Sequence, residues 1–319
     1  MIGKIIRKIY RKIRRYGIKH FEAPFRKLKL EDRAWVDPIF KKDTNLLPQA
    51  HFVEMYLTQA IYEFDTYREY CGCVIKRPWM QGEALQWYYP VGATEDRRRA
   101  IENVLKKYAF QCKEVVIHGA STDGLEELKA QFGERITAVE ENRDGACYIL
   151  DLKEQIELPG AEFRNKRKKI VRFNKNYNWT YEPITAENMD CCLEINEKWY
   201  AGHVKNQSVR EEQTVLRMAL EEMEELKLQG GLFRIEGKPA AIYIGMPFND
   251  TVYMSMFMKA DNSYQDIALA FTHEFFKLNC QDFVYDNEDC DCGVPGLRDF
   301  KTNLHPKFMV PYYDVTVQI

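Results

Sequence analysis

The chain has 319 residues, of which 45% are hydrophobic, 29% charged and 13% aromatic. That length predicts two modules of roughly 150 residues each, and the apolar content excludes a disordered body. Nine cysteines without a Cys-x-x-Cys pair, and six scattered histidines, give no spacing typical of a metal site. We therefore predict no bound metal. With neither a secretory signal nor an apolar run of membrane-spanning length in the sequence, we expect free thiols and a cytoplasmic protein.

Basic residues are concentrated at the N-terminus. Residues 1–30 contain eleven Lys or Arg and one acid, Glu22, whereas the net charge of the whole chain is −2. Isoleucines at helical spacing among these cations predict a basic amphipathic helix within residues 1–27. We expect this helix to bind the anionic surface of the inner membrane peripherally; contact with RNA such as tRNA, or packing on its own domain, are the alternatives. The cations expected to touch lipid are Lys4, Arg7, Lys8, Arg11 and Lys12.

The first module, residues 28–160, has alternating helical and strand patterns. Helical periodicity extends from residue 28 to about 69 with breaks at Pro38 and Pro48. Thr94 and Ser121 are predicted to cap two further helices, which extend to Tyr108 and Phe132. Short apolar runs predict strands at 73–75, 85–89, 114–118 and 146–152. This alternation predicts a mixed sheet covered by helices.

The second module, residues 161–319, opens with a basic helix that contains Lys166 and Arg167. A solvated helix face and contact with a polyanion both explain such a charge pattern. The later elements are, in chain order, a helix ending near residue 200, an acidic helix over 208–228, an antiparallel meander over 232–258, a helix over 264–279 and a strand over 283–285.

The segment from Asn287 to Pro306 is the most informative part of the sequence. Its acids, glycines and cations follow neither helical nor strand periodicity, which is typical of a functional loop. It resembles the pattern Asn-x-x-x-Asp-x-Gly-x-x-Gly-Leu-Arg-x-x-Lys, followed by a proline, of the C-terminal domain family of phosphatidylglycerol lysyltransferases. The matching positions are Asn287, Asp291, Gly293, Gly296, Leu297, Arg298, Lys301 and Pro306. Weaker matches at Lys259 and at Lys166-Arg167 extend the resemblance over about residues 28–319.

The resemblance implies an α/β (α+β) fold of two tandem GNAT-like acyltransferase modules, each a mixed, mostly antiparallel sheet flanked by helices. In such folds a V-shaped opening between neighbouring strands admits the acyl carrier, and the second module is expected to hold the active site. The implied reaction moves an amino-acid or acyl group to an amine or hydroxyl, including that of a membrane lipid. Aminoacyl-tRNA or acyl-CoA is the implied co-substrate, and no further cofactor is implied.

The chain departs from the family pattern at three places. Met258 stands where the family has Glu, Glu288 replaces an Arg, and residues 261–264 lack the glycine that is common before the helix. Because a phosphate-binding turn needs close backbone approach, loss of that glycine disfavours a conventional CoA pyrophosphate loop. The identity of the donor is therefore left open.

We predict catalytic roles for Asp291, Arg298 and Lys301. The acidic neighbours Glu288 and Asp289 are expected to raise the pKa of Asp291 and make it a base, with hydrogen bonding that only holds the loop as the alternative. Arg298 and Lys301 are expected to grip a phosphate or an acceptor headgroup, with an ion pair to Asp291 as the alternative. The predicted donor- or substrate-binding residues are Lys259, Asn287, Gly293, Gly296, Lys166 and Arg167.

A thiol nucleophile at Cys290 or Cys292, with His305 or His273 as its base, has no supporting spacing, and the family pattern does not require a thiol. A catalytically silent protein that binds lipid or nucleic acid with the same fold is the alternative to an enzyme.

Overall fold

A computed structural model describes residues 24–202 and 206–319, which form two compact units. The first unit contains residues 24–45, 49–142 and 312–319, and the second contains 46–48 and the described part of 143–311. The predicted amphipathic helix with Lys4, Arg7, Lys8, Arg11 and Lys12 lies outside the described residues. Across the described ranges, none of the helices has the length and apolar character needed to cross a bilayer.

Helices and strands are numbered here in chain order. The α-helices of the described residues are α1 (Arg33–Phe40), α2 (Phe52–Thr58), α3 (Thr94–Tyr108), α4 (Thr122–Phe132), α5 (Leu152–Glu157), α6 (Arg164–Asn176), α7 (Met189–Ala201), α8 (Gln207–Glu221), α9 (Ile267–Asn279) and α10 (Pro295–Thr302). The strands are β1 (Tyr67–Tyr70), β2 (Cys73–Lys76), β3 (Trp79–Gln81), β4 (Ala84–Tyr88), β5 (Glu114–Ala120), β6 (Ile136–Glu141), β7 (Cys147–Asp151), β8 (Trp179–Pro183), β9 (Gln229–Ile235), β10 (Lys238–Pro247), β11 (Val252–Ala260), β12 (Tyr285–Asn287), β13 (Phe308–Val310) and β14 (Tyr313–Gln318).

The first unit is built on a five-stranded sheet in the order β3-β4-β5-β14-β6, with β1 and β2 forming a separate pair. β4 and β5 are parallel and the other neighbours are antiparallel. Helices α3 and α4 bury their apolar faces in a core that includes Trp87, Ile117 and Leu128. As predicted, Ser121 caps α4, and its side chain accepts a hydrogen bond from the amide of Gly124.

The second unit is built on a seven-stranded sheet in the order β13-β7-β12-β11-β10-β9-β8. Only the β11–β12 pair of this sheet is parallel. The meander β9-β10-β11 is confirmed: Glu236 and Gly237 both have positive φ angles of 50° and 75°, as a two-residue hairpin turn requires. Helices α7 and α9 pack against β10 and β11, and the core includes Phe233, Phe271 and Phe275. Both units therefore have the expected mixed, mostly antiparallel sheet flanked by helices.

The compact units divide the chain differently from the predicted boundary at residues 160 and 161. Strand β7, which precedes that boundary, pairs with β12 and β13 in the sheet of the second unit. The last strand, β14, pairs with β5 and β6 in the sheet of the first unit, where Val315 and Val317 are fully buried. A strand pattern shows which side chains are buried but does not specify the partner strands. The sequence alone therefore could not show that β7 belongs to the second sheet and β14 to the first.

Candidate functional site

Strands β11 and β12 separate in the middle of the second sheet. Their parallel pairing ends at Met254 with Asn287, whereas β11 continues beyond this point. The chain after β12 instead follows β7, because the amide of Glu288 donates to the carbonyl of Tyr148 at 2.9 Å. Residues 256–258 of β11 are half-buried alongside the gap. This separation matches the V-shaped opening that the family resemblance implied.

A buried polar cluster, comprising Tyr243, Ser255, Asp286 and Glu288, lies where the two strands part. The Tyr243 hydroxyl is 2.6 Å from Ser255 Oγ and 3.5 Å from Glu288 Oε1, and Ser255 Oγ donates to Asp286 Oδ1 at 2.8 Å. Burial, followed by repulsion from Glu288, raises the pKa of Asp286 well above its usual value. Burial also raises the pKa of Glu288, although Lys301 and Lys166 oppose the effect. Two carboxyl groups with raised pKa values that lie this close together titrate as a coupled pair.

Asp291 has the opposite electrostatic environment, and the expectation of a raised pKa at this residue is wrong. Its fully buried carboxylate accepts hydrogen bonds from Arg298 Nε and Nη2 at 2.9 and 2.8 Å and from the Tyr148 hydroxyl at 2.6 Å. Arg143 Nη1 at 3.2 Å and the Gly293 amide at 2.9 Å complete the set. The Arg298 hydrogen bonds are the main reason that the pKa of Asp291 lies well below its usual range. A carboxylate stabilised in this way is a weak base and a strong anchor for the loop.

Arg298 and Lys301 also hold the loop. Arg298 pairs with Asp291 and, from Nη2, with Asp144 at 2.5 Å, so the ion pair kept as an alternative is present. Lys301 is buried, and its ammonium group donates to the backbone carbonyls of Glu288 and Cys290. Both cations are thus engaged by the protein, and any contact with a phosphate or headgroup remains a proposal.

Asn287 and Gly293 shape the same loop. The buried Asn287 side chain donates from Nδ2 to the carbonyl of Leu46 at 2.7 Å and accepts from the amide of Asp289 at 2.9 Å. Gly293 has a φ angle of +72°, in the region that favours glycine, and a Cβ built there would lie 2.7 Å from Asp144 Oδ2. A Cβ built at Gly296 would meet no comparable neighbour within 4 Å.

We expect Gly293→Ala to lower the free energy of unfolding by about 1–2 kcal/mol, because alanine is strained at this φ angle and crowds Asp144. Gly296→Ala is the matched control and should change stability by less than about 0.5 kcal/mol, since Gly296 lies in α10 with open space around it. Urea unfolding of both variants measures the difference. Equal effects would show that the loop does not require glycine at position 293.

The predicted donor-binding residues Lys166 and Arg167 make internal contacts in the structure. Lys166 Nζ is buried and donates to Gln155 Oε1 at 2.8 Å and to the carbonyl of Leu304 at 3.1 Å. Arg167 donates to the carbonyls of Leu158 and Gly160 at the start of α6. Burial lowers the pKa of Lys166 to about 8.

The lowered pKa of Lys166 means that burying its ammonium group lowers the free energy of unfolding, by an amount that depends on pH. Its pKa is 10.5 before burial and about 8 in the folded protein, so the unfolded chain binds the proton more tightly. The cost is present below about pH 8 and disappears as the pH rises towards 10.5. Between pH 8 and 10.5 the free energy of unfolding of the wild type should rise relative to that of Lys166→Met. The total rise over this range should be on the order of 3 kcal/mol. Urea unfolding across this range measures the difference, and parallel profiles would contradict the prediction.

Lys259 lies in β11 and contacts α7 and α8. Its ammonium group pairs with Glu212 and lies 3.5 Å from the ring centroid of Trp199, and burial lowers its pKa. Trp199 also lines a cleft of about 340 Å³, together with Lys198 and the turn that follows β11. At the end of this turn Asp266 adopts a φ angle of +66° and pairs with Arg172 of α6. The turn therefore contains a left-handed residue before α9 even though it lacks glycine.

Several residues around the site were missed by the sequence analysis. Arg143 and Asp144 follow a turn-like Glu-Asn pair, and Tyr148 lies in an apolar strand, so none had a motif to identify it. Ser255 lies between methionines in β11, and Asp286 directly follows the apolar run Phe283-Val284-Tyr285, so a polar residue at an expected buried position was the signal that could have found them. The two candidate histidines have other partners than a thiol: His273 Nε2 lies 3.0 Å from the Ile156 carbonyl, and His305 packs on Phe163.

The structure is similar to three solved structures. A conserved protein of unknown function from Bacteroides thetaiotaomicron VPI-5482 gives a TM-score of 0.83 at 24% identity, covering 92% of this chain and 99% of that one. The C-terminal domain of a putative lysylphosphatidylglycerol synthetase from Agrobacterium fabrum gives 0.62 at 15% identity, covering 89% and 91%. L-PGS from Bacillus licheniformis gives 0.62 at 14% identity, with the same coverage of 89% and 91%. These similarities establish the fold.

A comparison with the curated proteins found no match. The family model described as phosphatidylglycerol lysyltransferase, C-terminal, matches residues 44–316, which is most of the sequence and includes both units. The chain therefore belongs to the phosphatidylglycerol lysyltransferase C-terminal domain family.

Proposed function

We propose that this protein is an acyl or aminoacyl transferase that moves an activated acyl group from a carrier to an amine or hydroxyl. The observation that carries the proposal is the separation of β11 from β12 beside the buried polar cluster. An open strand edge can receive an extended carrier through its backbone groups, and the cluster supplies groups that accept and donate protons.

Glu288 is the proton acceptor in this proposal. It follows the last paired residue of β12, and its raised pKa gives a stronger base than an ordinary carboxylate. As the amine or hydroxyl attacks the acyl carbon, its proton passes to Glu288. The bond to the carrier then breaks, and the carrier leaves as its alcohol or thiol with that proton, which returns Glu288 to the carboxylate. Asp291, Arg298 and Lys301 keep the loop that carries Glu288 in place. In this assignment the base lies three residues before the one expected from the sequence motif.

We assign the carrier from the size of a cleft in the second unit and the acceptor from the basic charge near the N-terminus. The cleft beside Trp199 and Lys198 has room for part of a carrier such as aminoacyl-tRNA or acyl-CoA. The eleven basic residues among positions 1–30 would attract anionic lipid or the phosphates of tRNA. A lipid amine or hydroxyl at an anionic membrane surface is the acceptor that this charge distribution favours.

A second function, binding without catalysis, is favoured by one specific observation. Asp291, Arg298 and Lys301 all have internal partners that account for them structurally. A protein that only recognises lipid or nucleic acid would keep the same loop for stability alone.

A donor screen tests both functions. Purified protein is incubated with labelled aminoacyl-tRNAs or acyl-CoAs and vesicles containing phosphatidylglycerol, and the label in the lipid phase is counted. Label from either donor supports transfer and identifies the carrier. The control lacks residues 1–20 and should lose vesicle binding if lipid is the surface partner. Vesicle binding without transfer from any donor would favour the silent function, and loss of both would contradict a lipid acceptor.

A further inference from the structure

Two cysteines in the Asn287–Pro306 loop have their sulfur atoms in contact. Cys290 Sγ and Cys292 Sγ lie 3.3 Å apart, Cys292 is exposed and Cys290 is half-buried. A disulfide requires an S–S distance of about 2.05 Å, so a small movement of one side chain would join them. Among the described residues, no group of three or more Cys, His, Asp or Glu is arranged to hold a metal ion, so the pair is not part of such a site.

The surroundings of the pair shift the pKa values of the two thiols in opposite directions. The two sulfurs share a hydrogen bond, and this contact lowers the pKa of the exposed Cys292 thiol and raises that of Cys290. The Lys301 ammonium group, bound to the carbonyl of Cys290 at 2.7 Å, also favours a thiolate at Cys292. An accessible thiolate beside a second thiol is the arrangement of an attacking and a resolving cysteine.

We propose that Cys290 and Cys292 are a reversible redox modification site that a hydroperoxide converts to an intramolecular disulfide. The Cys292 thiolate attacks one oxygen of the hydroperoxide, the O–O bond breaks, and the other oxygen leaves with a proton as an alcohol or water. The resulting sulfenic acid at Cys292 is attacked by the sulfur of Cys290, which loses its proton as the S–O bond breaks and water leaves. Two thiols are oxidised and one hydroperoxide is reduced.

The disulfide would alter the loop around Asp291. Asp291 lies between the two cysteines in sequence, and Lys301 holds the carbonyls of both Glu288 and Cys290. Joining the sulfurs therefore changes the segment that positions these groups. The inference is independent of the proposed transferase activity, because its readout is the oxidation state of two named thiols.

The experiment uses the full-length reduced protein and one equivalent of hydrogen peroxide. After denaturation, alkylation and trypsin digestion, the peptide of residues 278–298 contains Cys280, Cys290 and Cys292. We expect it to carry one alkyl group and to lack two hydrogens, and dithiothreitol before alkylation should restore three alkyl groups. Cys290→Ser should instead accumulate sulfenic or sulfinic acid at Cys292, whereas Cys292→Ser should leave Cys290 as a thiol.

The chain contains a matched control with the same spacing. Cys71 and Cys73 also form a Cys-x-Cys pair, but Cys73 is buried in the first core and burial raises its pKa to about 12. The peptide of residues 69–76 should keep both alkyl groups under the same treatment. Equal loss at both pairs, or sulfinic acid at Cys292 with a free thiol at Cys290 in the wild type, would overturn the proposal.

Discussion

Asp291→Asn should lower the free energy of unfolding by about 2–3 kcal/mol at neutral pH. The fully buried carboxylate accepts hydrogen bonds from Arg298, Arg143, Tyr148 and the Gly293 amide. Asparagine replaces one of the accepting oxygens with an NH2 group, which cannot accept a hydrogen bond from these donors. Solvent screens the ion pair because the Arg298 side chain is 37% exposed. Most of the loss therefore comes from buried donors left without an acceptor.

The pH dependence gives a second measure of the same interaction. The folded pKa of Asp291 is depressed, so its contribution is present above the unfolded value near 3.8 and is lost as the pH falls towards the folded pKa. Urea unfolding at pH 7 and pH 3 should show the difference between wild type and variant shrinking with acid. Asp299→Asn, an exposed change in α10, is the control and should have little effect. A fully stable Asp291→Asn protein that loses transfer would restore Asp291 as the catalytic base.

Much of the fold could be predicted because local patterns specify local structure. Ser121 caps α4, and the Glu236-Gly237 turn joins β9 to β10, as their chemistry requires. The predicted cap at Thr94 is wrong: α3 begins at Thr94, but Ala93 is its N-cap and the Thr94 hydroxyl instead donates to Glu127 Oε1 at 2.8 Å. The pairing of β14 with β5 could not be predicted, because the two strands lie about 200 residues apart in the sequence. Their pairing depends on how all the strands of the sheet are arranged. The helix at 208–228 was predicted too long because its acidic periodicity continues after α8 ends at Glu221.

Sequence reasoning singled out the Asn287–Pro306 loop, but it could not predict the electrostatic environment within that loop. Charge spacing suggested that Glu288 and Asp289 would raise the pKa of Asp291. In the folded chain Asp291 faces Arg298 and Tyr148, whereas Glu288 turns into the core towards Tyr243 and Asp286. Residues three positions apart can therefore have opposite pKa shifts, because their partners come from different elements of the fold.

Glu288→Gln should reduce the rate of transfer by about 10²–10⁴-fold while leaving the protein as stable as the wild type or more stable. This prediction depends on the proposed function. Glutamine keeps the shape of the side chain but cannot accept the proton of the attacking group. The folded pKa of Glu288 is raised above 4.5, so its favourable contribution exists below that pH and is lost as the pH rises through the folded pKa. Replacing this carboxyl group therefore removes a cost of folding at pH values above 4.5.

Glu274→Gln is the control for this substitution, because Glu274 has the same 9% exposure as Glu288 and lies in the same unit. The pKa of Glu274 is lowered, first by the His273 side chain, whose Nδ1 lies 3.4 Å from Glu274 Oε1, and then by Lys277, so its charge stabilises the fold at neutral pH. We expect Glu274→Gln to retain transfer and to lose stability, which is the reverse of Glu288→Gln. Transfer rates and urea unfolding at pH 7 measure both properties. If Glu288→Gln transfers at the wild-type rate, Glu288 is not the base and its raised pKa reflects burial alone.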